Sequence, residues 1–263
     1  MTESPVVGRF VPVAGGELYA HVRAGDGPAL VFLHYWGGSR RTWIPVLRRL
    51  NPRQSFVAYD QRGWGDSADL PGPYGLEQLA DDAQRIVQEL GYASHILVGH
   101  SMGGKVCQLL AARRPAGLAG VVLVAPAPPS PTEETLQTKE IIARAYDSQE
   151  SVEQGIDHVL VHGGLSDELR DQVIEDSLRA HPPARDTWPA QGLVADIDVD
   201  KIDVPVLVLA GEHDKVDPPA ALAEHLLPRI PTASMAVLPG AGHLSPLEVP
   251  EKIADHITAF AAA

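Results

Sequence analysis

The chain has 263 residues, of which 44% are hydrophobic, and 21 Lys and Arg against 34 Asp and Glu give a formal charge of −13. At roughly 100–200 residues per domain, this length predicts one large or two small domains with a sizeable buried core. The acidic balance disfavours binding to duplex nucleic acid or to anionic lipid, because both require clustered Lys and Arg.

The sequence also indicates the cellular compartment in which the protein acts. Its single cysteine, Cys107, excludes an internal disulfide framework and favours a reducing environment. No stretch approaches the ~20 consecutive apolar residues of a membrane-spanning helix, and residues 1–5 lack the basic start of a signal peptide. We therefore expect a soluble, cytoplasmic protein with no nucleic-acid or membrane partner, whose oligomeric state stays open.

Short β-rich runs alternate with helical patterns along most of the chain. Several runs are apolar at every position, which is typical of parallel strands covered by helices on both faces. The alternation predicts an α/β fold with a mostly parallel, eight-stranded sheet flanked by helices. The predicted strands are 8–13 and 17–22 (a hairpin), 29–33, 55–59, 95–98, 120–124, 204–210 and 234–238, and the main helices are 76–90, 102–113, 219–227 and 249–261.

One interval, residues 126–200, interrupts the alternation because it contains no convincing strand. Residues 132–146, 151–161 and 166–179 have the pattern of three helices, while Pro182, Pro183 and Pro189 favour an irregular far end. We interpret this interval as a helical lid inserted after the sixth strand. Residues 1–125 and 201–263 then form the core.

The strongest local signal is Gly99-His100-Ser101-Met102-Gly103, which runs from an apolar strand directly into a helix. In such a Gly-x-Ser-x-Gly turn the serine is strained, and the glycines remove side chains that would collide. Ser101 then projects at a helix N-terminus, which favours developing negative charge. We interpret Ser101 as a nucleophile. The alternative is a serine that merely caps the helix.

A serine hydroxyl needs a base, and the base needs an orienting acid. Among eleven histidines, His243 is the best candidate for the base, because it lies in a Gly-rich loop between the last strand and the last helix. His213 is the competing candidate for the base.

Two groups of residues could suggest a metal site. The aspartates at 196–203 are explained better by a polar segment that returns from the lid to the sheet than by a calcium site, and His158 and His162 lack a third ligand. No metal site is therefore predicted.

Three carboxyl groups follow the strand at 204–210 and are candidates for the acid. Asp214 is the first choice, Asp217 the second and Glu212 the third. Asp217 precedes Pro218 and Pro219, so we interpret it as the N-cap of the next helix. One oxyanion donor should be the N–H of Met102, directly after the nucleophile, and the other an N–H of the loop at 33–39.

These motifs resemble the α/β-hydrolase superfamily, in its cofactor-independent esterase, lactonase, C–C hydrolase and perhydrolase branch. The similarity covers almost the whole chain. It also rests on the loop His34-Tyr35-Trp36-Gly37-Gly38-Ser39, the turn at 59–67, and the order Ser101, Asp214, His243.

The resemblance implies further roles within the loop after the third strand. It assigns the second oxyanion donor to Trp36 and a structural role to His34. The family usually has glycine where this chain has Tyr35, whose phenol either reaches the pocket or packs under the lid. Tyr146, Trp188 and Leu165 of the lid either wall the pocket or pack on the core.

Together these features predict a serine hydrolase that cleaves a small carboxylic ester or lactone through an acyl-enzyme, with no metal or organic cofactor. Three alternatives stay open. The same triad serves perhydrolases, haloperoxidases and C–C bond hydrolases; a non-catalytic ligand-binding protein can use the fold without turnover; and an iminopeptidase would require an acidic pocket for a substrate amine.

Overall fold

The computed structural model describes residues 4–263. Residues 1–3, which belong to the predicted core range and to the segment compared with signal peptides, lie outside the described residues. The strands are β1 (Val7–Val13), β2 (Gly16–Arg23), β3 (Asp26–Leu33), β4 (Gln54–Tyr59), β5 (His95–His100), β6 (Leu118–Val124), β7 (Val206–Gly211) and β8 (Ala233–Leu238).

These strands form a single sheet in the order β1-β2-β4-β3-β5-β6-β7-β8. β2 pairs antiparallel with β1 and β4, and every other pairing is parallel. The predicted mostly parallel, eight-stranded sheet is thus confirmed. Because β3 to β8 run in the same direction, their C-terminal ends meet at one side, which we call the carboxyl edge.

Helices follow most of the strands. Among the described residues, no helix is both long and apolar enough to cross a membrane. The helices are α1 (Ile44–Leu47), α2 (Leu76–Glu89), α3 (Met102–Ala112), α4 (Glu133–Ile142), α5 (Gln149–Gly155), α6 (Asp167–Arg179), α7 (Pro182–Thr187), α8 (Pro219–His225), α9 (Ser245–Glu248) and α10 (Pro250–Ala261), with 3₁₀ turns at Arg40–Trp43, Gly65–Ser67 and Leu227–Arg229 and π-helical turns at Ile156–Leu160 and Trp188–Gly192.

The sheet is covered on both faces, which explains its uninterrupted apolar strands. Along β3, Val31 and Leu33 belong to one hydrophobic cluster, while Leu30 and Phe32 belong to another. Successive side chains of a strand point to opposite faces, so each face needs its own apolar partners. α2 and α3 supply them on the first face, and α1 and α10 supply them on the second.

The chain between β6 and β7 contains α4 to α7 and the two π-helical turns, and we call residues 126–200 the helical segment. Its buried side chains join the same cluster as α2 and α3. The prediction that this segment ends irregularly is wrong. α7 begins at Pro182, and Pro189 lies near the start of the π-helical turn Trp188–Gly192. Proline is tolerated at position 182, the first of α7, because the N–H that it lacks would have no partner within the helix.

Candidate active site

Ser101 stands between β5 and α3 in a backbone conformation that few residues adopt. Its φ is 51° and its ψ is −113°, a strained combination for a residue with a side chain, at a cost of about 1–3 kcal/mol. A Cβ on Gly99 would lie 2.4 Å from the carbonyl oxygen of Gly103, and one on Gly103 would lie 2.5 Å from that of Leu33. The turn therefore requires glycine at both positions, as the motif predicts.

The hydroxyl of Ser101 meets an imidazole and a carboxylate from two other loops of the carboxyl edge. The Nε2 atom of His243 lies 3.0 Å from the Oγ of Ser101, and its Nδ1 lies 2.9 Å from the Oδ2 of Asp214. The other oxygen of Asp214 accepts hydrogen bonds from the N–H groups of Val216 and Asp217, at 2.8 and 3.1 Å. The sequence-predicted serine, histidine and first-choice acid thus come together in one chain of hydrogen bonds.

This buried pair is polarised. Burial alone lowers the pKa of His243, but the charge and the hydrogen bond of Asp214 outweigh it, so that pKa lies above its ordinary value. Burial alone raises the pKa of Asp214, yet His243 and two backbone N–H groups hold that pKa below its ordinary value. The arrangement keeps the carboxylate ionised and stabilises an imidazolium beside Ser101.

The other histidines near this loop do not contact the serine hydroxyl. The Nε2 of His100 donates to the backbone carbonyl of His243 at 2.8 Å, and burial lowers the pKa of His100 to about 3. It therefore acts as a neutral donor that holds the base's loop. His213, the competing base, is partly exposed beside Glu212 and stacks on His162, with ring centroids 3.6 Å apart.

Asp217 does not cap a helix, so that prediction is wrong. The N-cap of α8 is Pro218, and no side chain bonds to the first turn. The sequence held the signal: proline favours the first helical position, and with Pro219 there the cap falls one residue after Asp217. The carboxyl group of Asp217 lines the cavity above Ser101 instead, and burial raises its pKa to about 8.

The two backbone N–H groups that the sequence predicts as oxyanion donors have no acceptor among the described residues. One belongs to Met102, at the first position of α3, where a helix offers no partner. The other belongs to Trp36, in the loop after β3, and this residue is almost fully buried. Buried donors are normally satisfied, so two donors without an acceptor are the candidates for binding an oxygen atom of a substrate.

A cavity of about 630 Å³ opens above Ser101 and His243. Tyr35, Tyr146 and Trp188 all line it, as the sequence suggests, whereas Leu165 packs against the hydrophobic core outside it. Tyr35 is also almost fully buried, in the hydrophobic cluster that includes side chains of the helical segment. Tyr35 thus both lines the cavity and packs beneath the helical segment, the two alternatives that the sequence left open.

The described residues contain no group of three or more His, Cys, Asp or Glu side chains placed to hold a metal ion. His158 and His162, which share helical spacing in the sequence, make separate contacts. The carbonyl of His158 accepts from Lys215 at 2.9 Å, while the ring of His162 stacks on His213.

Comparison with known proteins agrees with this geometry. A model described as the alpha/beta hydrolase family matches residues 30–256, and the chain belongs to that family. It is 29% identical over 263 residues to a 2-(acetamidomethylene)succinate hydrolase of Mesorhizobium japonicum, which covers 93% of this chain and 92% of the relative. It is 26% identical over 257 residues to a non-heme haloperoxidase of Rhodococcus erythropolis, which covers 89% and 92%.

Among solved structures, a thermophilic esterase from Thermogutta terrifontis superposes with a TM-score of 0.76 at 25% identity and covers 98% of each chain. The named relatives are enzymes, and most are hydrolases. The protein is accordingly an enzyme of the alpha/beta-hydrolase class.

Proposed function

We propose that the protein hydrolyses a carboxylic ester or lactone through an acyl-enzyme on Ser101. One observation carries the proposal: the Oγ of Ser101 lies 3.0 Å from the Nε2 of His243, and both residues line one cavity together with Trp36. Nucleophile, base and oxyanion donors are the groups that acyl transfer requires.

In the first half-reaction, the Oγ of Ser101 attacks the carbonyl carbon while the Nε2 of His243 takes the hydroxyl proton. Asp214 holds the imidazole through its Nδ1–H and stabilises its positive charge. The N–H groups of Trp36 and Met102 stabilise the oxyanion. The tetrahedral intermediate then collapses, and the bond between the carbonyl carbon and the alkoxide oxygen breaks. The imidazolium gives its proton to that oxygen, and an acyl group stays on Ser101.

In the second half-reaction, His243 takes a proton from water, and the resulting hydroxide attacks the acyl carbon. The tetrahedral intermediate expels the Oγ of Ser101, which recovers the proton from the imidazolium. A carboxylic acid is released and the enzyme returns to its starting state. Nucleophile, base and acid all come from the chain, so the proposed reaction needs no cofactor.

The cavity supports a small-molecule substrate. Its volume, about 630 Å³, lies in the middle of the roughly 300–1,000 Å³ range of ligand pockets. Aromatic side chains of the helical segment wall it, and we propose that residues 126–200 act as a lid over a core formed by the rest of the chain. We expect the enzyme to act in the cytoplasm.

Labelling with a fluorophosphonate, followed by mapping of the modified peptide, tests the nucleophile. We expect one adduct, on Ser101, and none in the S101A variant. A panel of p-nitrophenyl esters of increasing acyl length then tests the reaction. A native protein that stays unlabelled, or that reacts elsewhere, would contradict the proposal and favour a ligand-binding role.

A second activity, perhydrolysis, is favoured by the similarity to a haloperoxidase. If hydrogen peroxide instead of water attacks the acyl-enzyme, the O–O bond stays intact and a peroxy acid is released. Assays of one ester with and without hydrogen peroxide distinguish the two activities. A perhydrolase forms peroxy acid at the expense of carboxylic acid, whereas a simple esterase gives the same acid in both assays.

A further inference from the structure

The loop that carries Trp36 is held along three consecutive peptide groups. The first is the peptide between Tyr35 and Trp36, whose N–H is the proposed oxyanion donor. Its carbonyl accepts from the Nδ1 of His34 at 2.8 Å and from the N–H of Gly38 at 3.0 Å. His34 is the donor because its Nε2 accepts the N–H of Gln61, at 3.0 Å. Both donors belong to the loop itself, so these bonds hold the first peptide relative to the loop, and the bond between His34 and Gln61 ties its start to the core.

The second peptide, between Trp36 and Gly37, is held from the helical segment. The hydroxyl of Tyr146 donates to the carbonyl of Trp36 at 2.9 Å, and the indole Nε1 of Trp36 donates to the carbonyl of Arg185 at 2.9 Å. The guanidinium of Arg185 donates to the carbonyl of Tyr146 at 2.7 Å. Three hydrogen bonds thus close a ring among residues that lie far apart in the chain.

The neighbouring contacts belong to the same arrangement. The rings of Trp36 and Tyr146 lie 4.2 Å apart. Gly37 has a φ of +89°, and a Cβ there would lie 2.4 Å from the ring of Tyr146. The carbonyl of Gly37 accepts from the hydroxyl of Ser177 at 3.1 Å. The backbone that follows the donor N–H is thus packed against, and bonded to, the helical segment.

A backbone N–H stabilises an oxyanion only when it already points at the place where the charge develops. Rotation about the backbone of Trp36 would turn its carbonyl away from Tyr146 and its indole away from Arg185. Either movement leaves a buried polar group unpaired, at a cost of about 1–3 kcal/mol. The ring of hydrogen bonds therefore opposes the rotation that would misalign the donor.

We propose that Tyr146 is a positioning residue of the oxyanion hole and that, with Arg185, it couples the helical segment to the reaction rate. The inference rests on the proposed function, because it requires Trp36 to be an oxyanion donor. Tyr146 then acts mainly through the transition state, and its role as a wall of the cavity is secondary.

The test is the Y146F variant, which removes one hydroxyl and keeps the ring. We expect kcat to fall about tenfold, below the roughly 10²–10³-fold cost of losing an oxyanion donor outright, with KM nearly unchanged. The affinity for a trifluoromethyl ketone, which forms a tetrahedral adduct on Ser101, should fall by the same factor as kcat/KM. The pH at half-maximal activity should not move, because His243 and Asp214 keep their contacts.

The matched control is Y74F. The hydroxyl of Tyr74 also donates to a backbone carbonyl, that of Leu70, at 3.2 Å, but Tyr74 does not line the cavity. We expect parental kinetics for this variant. Titration with a fluorophosphonate counts the competent sites, so that any loss of folded enzyme is corrected in both variants.

A second variant, W36F, keeps the backbone N–H and removes the indole bond to Arg185. We expect it to lower kcat and the ketone affinity together, as Y146F does. Parental kcat in Y146F would overturn the inference, and so would a change in KM alone or a fall in kcat without weaker ketone binding. Unimpaired activity in S101A would instead overturn the proposed function, so the two failures are distinguishable.

Discussion

Ser101, Asp214 and His243 lie on loops that leave β5, β7 and β8 at the carboxyl edge, whereas Tyr146 and Trp188 reach the same cavity from the helical segment. The loops at the edge are short, and hydrogen bonds hold the side chains of Asp214 and His243 on both sides and join His243 to Ser101. By contrast, α4 of the helical segment buries none of its residues. In the proposed reaction the edge holds the chemistry, and we expect the segment to shape what reaches it.

This contrast can be broken by experiment. If it is right, substitutions at the edge lower kcat for every substrate by a similar factor. Substitutions of cavity walls on the helical segment change the ratio of activities toward different substrates. Tyr146 is the exception that the structure predicts, because it contacts the oxyanion loop itself.

The largest effect is expected from S101A. Without the nucleophile no acyl-enzyme can form, so kcat should fall by about 10⁵–10⁶, as for other serine nucleophiles. The fall should be alike for short and long p-nitrophenyl esters. Burst kinetics and fluorophosphonate labelling should both disappear. A variant that keeps a labelled site would show that another residue carries the reaction.

The second-largest effect is expected from D214N, and it distinguishes the roles of Asp214 and Asp217, two carboxyl groups near the imidazole of His243. Asp214 bonds the Nδ1 of His243 directly, so D214N should lower kcat by about 10⁴, as in other triads that lose this acceptor. D217N is its matched control, because Asp217 makes no such bond, and kcat should change far less. Similar losses in the two variants would show that the acids share the role.

The positions of Asp214, which bonds His243, and of Asp217, which does not cap α8, show what sequence can predict here. The strands, the serine turn and the loop after β7 are local patterns, so Ser101 and Asp214 follow from a few neighbouring residues. The ring among Trp36, Tyr146 and Arg185 is different, since it joins residues up to 149 positions apart. Only the packing of the helical segment brings them together, and that segment has weak periodicity.

A smaller, graded effect is expected with pH. His243 accepts a proton only when it is neutral, so kcat/KM should rise with pH and level off above the pKa of the imidazole. Asp214 holds that pKa above its ordinary value of 6.5, which places the midpoint of the rise above pH 6.5. Below the midpoint, kcat/KM should fall about tenfold per pH unit.

The D214N variant provides the control for this profile. Without the carboxylate, burial is the dominant influence and lowers the pKa of His243. The midpoint of the residual activity should therefore move to lower pH. A midpoint that stays in place would mean that a group other than His243 controls the profile.

The smallest effect is expected on the helical segment, where W188A and L165A form a pair. Trp188 is buried and lines the cavity, while Leu165 lies outside it. Removing the indole enlarges the cavity, so the ratio of kcat/KM for a long ester to that for a short one should rise about tenfold, within the 10–200-fold range of apolar discrimination. L165A should leave that ratio unchanged.

The ratio is the decisive measurement because it is independent of the amount of folded enzyme. Truncation of a buried tryptophan costs about 3–5 kcal/mol of stability, which would lower every rate without informing on the cavity. A ratio that stays constant in W188A would contradict the contrast between edge and segment. The residual activity of S101A should keep the parental ratio of long-ester to short-ester kcat/KM. If the ratio changes in W188A and not in S101A, chain-length discrimination lies on the helical segment.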